Sequence, residues 1–288
     1  MTVKYSELSP KDALRERENF EFLNKSDLIE GSNYNAVVDM GVPFLAADQL
    51  PELMNDKRPI ALIGGGPTLR DDDDNGKTIL QNLNENNDVI KVVTGSAHKK
   101  ITDGDLTGVE YCVIGFAADT MCEYIEPQED ITYIVAAQSD PAIFQKIQDV
   151  GAKVFAVNGY IEGIDQNADN LLGVGSTSAT AGLAVFSGLL DRKEFQFYGV
   201  DSSTSYSYDV PDFKPSEILI VLEDGRNFTV DKGFYNEQTD DLIQFRDDYP
   251  DIKMEFFGKS VNAGLINDVA VGNDHNAHLD NDNTFDPE

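Results

Sequence analysis

One stretch, Arg58-Pro-Ile-Ala-Leu-Ile-Gly-Gly-Gly-Pro-Thr-Leu69, constrains the fold of this 288-residue chain more than any other. Ile60 to Ile63 form a short apolar run, the length of one buried strand. Gly64, Gly65 and Gly66 follow without a spacer. Pro67 then presets the φ of a first helical turn, and Thr68 adds a hydroxyl. Strand, glycine turn and helix start together can bare backbone N–H groups to an anion. Glycine has no Cβ, so a phosphate can approach its main chain closely. The turn is therefore a candidate seat for a nucleotide or another phosphorylated ligand. The alternative is a tight strand-to-helix turn that binds nothing. Neither standard glycine fingerprint is complete. The dinucleotide pattern wants glycine where Leu69 stands. The P-loop pattern, met at Gly76-Lys77-Thr78, wants one at Asp71.

Downstream, apolar runs alternate with helical segments. Val89–Thr94, Tyr111–Phe116, Ile131–Ala136, Lys153–Val157 and Phe195–Val200 read as further strands. Thr78–Leu83, Asp140–Val150 and Ser176–Leu190 read as helices between them. Repeated strand–helix units imply an α/β fold with a doubly wound, mostly parallel, Rossmann-like sheet. Past Asp209 the pattern changes. Ile218–Glu223 and Arg226–Val230 flank Asp224-Gly225, a β-hairpin signal, and a helix over Gln238–Tyr249 and a strand over Ile252–Phe257 follow. Residues 1–55 read as an N-terminal helical extension, with a helix over Ala13–Leu23, an apolar patch from Val37 to Phe44 and a short helix over Ala46–Met54. A Rossmann-like domain is expected over 56–265, and 266–288 as an acidic tail, disordered unless a partner orders it.

The formal net charge is −30 and the sequence pI about 4.2. That argues against nucleic acid and anionic membranes as partners, because both need basic patches. An anionic ligand must be held by local N–H groups against the global field. Two cysteines, Cys112 and Cys122, are too few for a disulfide framework, and Cys112 reads as a buried thiol. No signal-peptide pattern appears and no apolar run approaches about 18 residues, so a reducing cytoplasm is expected.

Small polar residues recur after strands or at helix starts: Gly64–Thr68, Gly95–His98, Gln138–Asp140, Gly173–Thr177 and Asp201–Ser203. In a doubly wound sheet one rim can gather them, because ligands bind beyond the strand C-termini where strand order reverses. Gly175, Ser176 and Thr177 can offer N–H groups and hydroxyls to a phosphate, or can simply cap a helix. Asp201 can accept ribose hydroxyls or hold a divalent cation, or can serve as a turn aspartate. Asp71 to Asp74 would repel one another in a metal site and read as an exposed helix N-terminus. His98, Lys99 and Lys100 form a small basic spot that either counters a phosphate or is a solvated turn. His275 and His278 have no third ligand nearby for zinc.

Five blocks stand in an order that resembles a known family. They are Ile63-Gly-Gly-Gly-Pro-Thr-Leu69, Thr94-Gly-Ser-Ala-His-Lys-Lys-Ile101, Tyr133-Ile-Val-Ala-Ala-Gln-Ser-Asp-Pro141, the Gly173-Val-Gly-Ser-Thr177 block and Tyr198-Gly-Val-Asp-Ser-Ser203. Together they resemble the 6-hydroxymethylpterin diphosphokinase MptE-like family, which includes the motility accessory factors. The heavy acidity, Val174 and the Asp71–Asp74 run depart from the family's pattern. The resemblance implies a Rossmann-like fold and one of two activities. One transfers diphosphate from ATP to a small alcohol, with Mg2+. The other transfers a nonulosonic acid from a CMP-linked donor to a small-molecule or protein-glycan acceptor.

On the first reading Gly64, Gly65, Gly66, Pro67, Thr68, Gly95, Ser96, Gly175, Ser176, Thr177, Ser202 and Ser203 face the nucleotide. Asp201 and Asp140 are the expected catalytic residues: Asp201 holds ribose or magnesium, and Gln138 and Asp140 face the acceptor. A non-catalytic nucleotide-binding module on the same fold is the third expectation. The sequence is compatible with an oligomer.

Overall fold

Seven strands form one sheet, and its order explains where a ligand could sit. They are β1 (Ile60–Ile63), β2 (Ile90–Thr94), β3 (Tyr111–Ile114), β4 (Thr132–Ala136), β5 (Val154–Val157), β6 (Glu194–Tyr198) and, after a separate hairpin, β9 (Lys253–Phe257). The spatial order is β5-β4-β3-β2-β1-β6-β9, and every neighbouring pair is parallel. From β1 the chain walks outward to β5, then returns to the opposite side of β1 for β6. The reversal between β1 and β6 is the topological switch of this doubly wound α/β sheet. The computed structural model describes residues 32–73, 75–115, 125–159, 172–173, 175–207 and 215–267. The expected helix over 13–23, Phe116, Cys122, Asp74, Val174, His275, His278 and nearly all of the tail lie outside the described residues.

β1, β2, β3 and β5 are buried along their whole length, as unbroken apolar runs in a two-sided sheet should be. Alternate side chains enter opposite cores. Ile60 and Leu62 join one, with Val92, Phe197 and Phe256. Ala61 and Ile63 join the other, with Val93, Cys112 and Tyr133. Cys112 is a free, fully buried thiol, and burial pushes its pKa far up.

The first core is covered by α6 (Ser178–Ala184), α7 (Asp240–Asp248), α8 (Val261–Ile266) and the hairpin of β7 (Glu217–Val221) and β8 (Asn227–Asp231). The second is covered by α1 (residues 32–39), α3 (Ile79–Glu85), α4 (Lys99–Thr102) and α5 (Pro141–Asp149). Tyr34, Val37 and Val42 from the chain ahead of β1 belong to this second core. The same stretch protects the sheet edge: Leu45 N–H donates to Ala156 at 2.8 Å and Ala156 N–H to Pro43 at 2.9 Å.

Three local expectations change. The short helix expected over Ala46–Met54 splits into a 3-10 turn, Ala47–Gln49, and α2, Pro51–Asn55, because Pro51 has no N–H to continue the first. The last turn of Ser176–Leu190 is a π-helix over Val185–Leu189, and another π turn, Tyr235–Thr239, precedes α7. Asp71 to Asp73 do not start a helix. Thr78 and Gln81 form a capping box that starts α3 at Ile79. The aspartates make the loop ahead of it, where Asp73 Oδ1 accepts N–H groups of Asn75 at 2.8 Å and Lys77 at 2.9 Å. Among the described residues no helix is long and apolar enough to cross a membrane.

β6 and β9 are stapled on both faces. Phe197 lies flat on Phe256 at 4.2 Å between centroids, and Tyr198 on Phe257 at 4.5 Å. Each pair is opposed in register. Phe197 is fully buried, so Phe197→Ala should cost about 3–5 kcal/mol in chemical denaturation. A loss below about 1 kcal/mol would contradict the packing described for this edge.

Candidate functional site

A cleft of about 400 Å³ opens above the C-terminal ends of β1, β2, β3 and β6, at the switch in strand order. It gathers most of the small polar residues marked in the sequence. Gly64, Gly65 and Gly66 arrive from β1, and Gly95 and Ser96 from β2. Gly175, Ser176 and Thr177 arrive ahead of α6, and Asp201, Ser202 and Ser203 from β6. Pro67, Thr68, Gln138 and Asp140 are not in the lining. Gln138 and Asp140 follow β4, which is separated from β1 by two strands and lies away from the switch. Asp140 instead caps α5 by accepting the Ala142 N–H at 2.8 Å. Gln138 is buried, and its carbonyl takes the Asn33 amide at 3.0 Å. The structure does not bring them to this cleft: they belong to another part of the rim.

The glycine turn also differs from expectation. Gly64 N–H donates to Tyr198 at 2.8 Å and Gly66 N–H to Gly199 at 2.7 Å. Ser207 returns a bond from its N–H to the Gly65 carbonyl at 2.7 Å. Thr68 gives its N–H to Asp201 Oδ2 at 2.9 Å and its hydroxyl to Oδ1 at 2.7 Å. Two of the three glycine amides thus extend the β1–β6 pairing past the strands. Pro67 has no donor, and the Thr68 amide is taken by the protein's own carboxylate. A Cβ on Gly64 would strike the Gly199 carbonyl, and one on Gly66 would fall on Asp201. These glycines are required by chain-to-chain approach. Gly65 N–H alone has no acceptor among the described residues.

The second turn is closed in the same way. Asp241 Oδ2 accepts the Ser176 N–H at 2.9 Å and its hydroxyl at 2.7 Å. Thr177 and Thr180 satisfy each other as a capping box. Gly175, at φ +67°, has no room for a Cβ beside Thr180. Both expected anion seats do hold anions, and those anions are Asp201 and Asp241.

Asp201 is buried, and desolvation pushes its pKa up to about 6; the two Thr68 bonds oppose that rise and Asp71 adds to it. The next residue, Ser202, sits at φ +51°, uncommon without glycine. Its hydroxyl lies 2.8 Å from Thr239 Oγ1 and receives the Gln238 amide at 3.0 Å. Thr239 donates on to Asn262 at 2.8 Å, and Asn262 donates to the Val200 carbonyl at 2.7 Å. This closed network over-determines the turn that carries Asp201.

Several lining residues escaped the sequence reading, among them Ser178, Ser205, Tyr206, Phe234, Glu237 and Gln238. The last three precede α7, after the hairpin, and nothing local marks them as neighbours of β1. Among the described residues the lining contains no Lys, Arg or His and two carboxylates, Asp201 and Glu237. The basic spot expected at His98–Lys100 lies elsewhere. His98 is fully buried against the Tyr133 hydroxyl at 2.8 Å, and burial lowers its pKa to about 4, with Lys146 adding to the effect. Lys99 and Lys100 pair with Asp103 and Asp105.

Magnesium fits this donor set poorly. Both Asp201 oxygens already accept bonds from Thr68, and no group of three or more His, Cys, Asp or Glu among the described residues could hold a metal.

No protein-family model matches the chain, and no curated protein does. Among solved structures, the fold is similar to that of a MAf glycosyltransferase from Magnetospirillum magneticum AMB-1, with a TM-score of 0.51 and 13% identity. The likeness covers 86% of this chain and 41% of that one, so this chain spans less than half of its neighbour's length. At that identity the comparison establishes the Rossmann-like α/β fold alone.

The buried carboxylate has a pH signature. Folding raises the Asp201 pKa from 3.8 to about 6, so its stabilising contribution is complete below pH 3.8 and is lost as pH rises through about 6. His98, lowered from 6.5 to about 4, acts oppositely: stability is present above 6.5 and lost as pH falls toward 4. Comparing wild type with Asp201→Asn isolates the first. The stability of wild type relative to the variant should fall by about 2 kcal/mol from pH 4 to pH 7.5. A flat or rising difference would contradict the burial assigned to Asp201.

Proposed function

We propose that the cleft seats a nucleotide-linked sugar and that the protein is a transferase of the glycosyltransferase kind. One observation carries this reading: among the described residues the cleft at the sheet's switch point is lined by hydroxyls, amides and two carboxylates, with no cation. Hydroxyl and carboxylate groups suit a polyol, which both donates and accepts hydrogen bonds. A triphosphate is the poorer guest. Its several negative charges would face Asp201 and Glu237 with no protein cation to offset them. A sugar linked through a single phosphate, as in the CMP-activated donors of the motility accessory factor reading, brings less charge. Its phosphate can use the spare Gly65 N–H. The fold shared with a protein described as a MAf glycosyltransferase supports the same side of the family resemblance.

Asp201 supplies the chemistry. Each carboxylate oxygen has two acceptor positions, and Thr68 occupies one on each. With a pKa of about 6 it is ionised near neutral pH yet poorly solvated, a state suited to a general base. In the transfer the anomeric C–O bond to phosphate breaks, and the nucleoside phosphate leaves with the electron pair. The acceptor oxygen bonds to the anomeric carbon, and its proton passes to Asp201. The Ser202–Thr239–Asn262 network holds that carboxylate in place.

Calorimetric titration with CMP, a CMP-linked sugar acid and ATP, each with and without magnesium, tests this. The cytidine ligands should bind without metal. Ser205→Trp, an exposed residue on the cleft wall, should abolish that binding. Binding of ATP with magnesium alone would replace this reading with diphosphokinase. Binding of no nucleotide would leave a non-catalytic module.

A further inference from the structure

We propose that a second cavity, of about 390 Å³, is a carbohydrate subsite that takes neutral or amino sugars. Its service as the seat of the acceptor rests on reading the cleft as the seat of the donor; its capacity to bind sugar does not. The cavity runs along α6 and its π turn on one side and α7 on the other. Thr180 and Gly188 both line it, and eight residues of helix make it about 12 Å long. That shape suits a short linear glycan better than a single compact metabolite.

The lining chemistry points the same way. Tyr249 is 51% exposed, a large aromatic left in water. Phe245 backs it at 4.7 Å between centroids, which fixes the ring as a platform. The C–H face of a pyranose packs on such a ring, while its hydroxyls need polar partners at the rim. Gln244 and Asp248 supply them beside Tyr249, touching each other only at 3.5 Å. Asp241 supplies another at the end nearest the cleft. The single lysine in the lining among the described residues, Lys193, is already engaged by Asp251 at 3.0 Å and Asp191 at 3.5 Å. The groove is therefore negative, which rejects acidic sugars and accepts neutral or cationic ones.

The two cavities meet. Gly175 lines both. Ser176 on the cleft side bonds through its N–H and hydroxyl to Asp241 on the groove side. Among the described residues this side-chain pair and Gly175 lie where the two meet, so a sugar hydroxyl placed against Asp241 lies at the edge of the donor cleft.

The test is titration of the full chain with lactose, maltose, cellobiose and chitobiose, alongside free sialic acid, followed by saturation-transfer NMR and calorimetry. At least one neutral disaccharide should bind in the millimolar range and sialic acid should not. Tyr249→Ala, at an exposed site, should melt with the wild type and weaken that binding about tenfold. Ser205→Trp in the cleft should leave it in place. If none of the four neutral sugars binds at about 10 mM, or binding survives both Tyr249→Ala and Gln244→Ala unchanged, the subsite is wrong. Loss of sugar binding in Ser205→Trp alone would put the sugar in the cleft and also overturn it. Sugar binding in the groove without any nucleotide binding in the cleft would uphold the subsite and sink only the donor reading.

Discussion

The seam between β1 and β6 holds this structure's functional end together. Hydrogen bonding between the two strands continues past their formal ends, through Gly64 to Tyr198 and Gly66 to Gly199. Such pairing requires two backbones to run closer than side chains permit, and Gly64, Gly66 and Gly199 supply the clearance. Everything at the cleft follows from that approach. Asp201 is carried inward beneath the glycine turn, loses water and becomes a weak acid. Ser202 is forced into a left-handed conformation, which the Thr239–Asn262 network then holds. The cleft opens where the seam ends, because β1 and β6 send their chains to opposite sides of the sheet.

A chain of net charge −30 has a particular difficulty with bare amides. Helix starts and glycine turns attract anions, and here the nearest anions are covalently attached. Asp201 reaches Thr68 at one turn, and Asp241 reaches Ser176 at the other. The protein's own carboxylates thereby satisfy donors that a basic or neutral chain would leave for phosphate. What remains facing the cleft, among the described residues, is a set of hydroxyls and amides with the carboxylates of Asp201 and Glu237. Asp201 thereby lies buried in the cleft lining, and Asp241 sits between cleft and groove.

The sheet was legible in the sequence because its strands are short apolar runs bounded by glycine and proline, and burial on both faces leaves no ambiguity of face. The Asp224-Gly225 hairpin was legible for the same local reason: Gly225 takes φ +85°. The cleft's membership was legible in outline, since residues after β1, β2 and β6 and before α6 converge there. Gln138 and Asp140 misled because sequence shows that a residue follows a strand but not which strand lies beside which. The glycine turn misled for a deeper reason. A glycine that admits a ligand and a glycine that admits a neighbouring backbone look identical in one chain. Phe234, Glu237 and Gln238 were invisible, because only the packing of the π turn before α7 brings them to β1's end. Asp71 to Asp73 were misplaced because the capping box at Thr78 and Gln81 decides where α3 begins.

Amide hydrogen exchange at the three glycines tests the central claim most directly. With Gly64 and Gly66 spent on β6 and Gly65 unspent, Gly64 and Gly66 should be strongly protected with or without ligand. Gly65 should exchange freely and gain protection when a cytidine nucleotide is added. Rapid exchange at all three in the free protein, with protection appearing at all three on adding ATP, would show an open anion nest and contradict the seam on which the cleft is built.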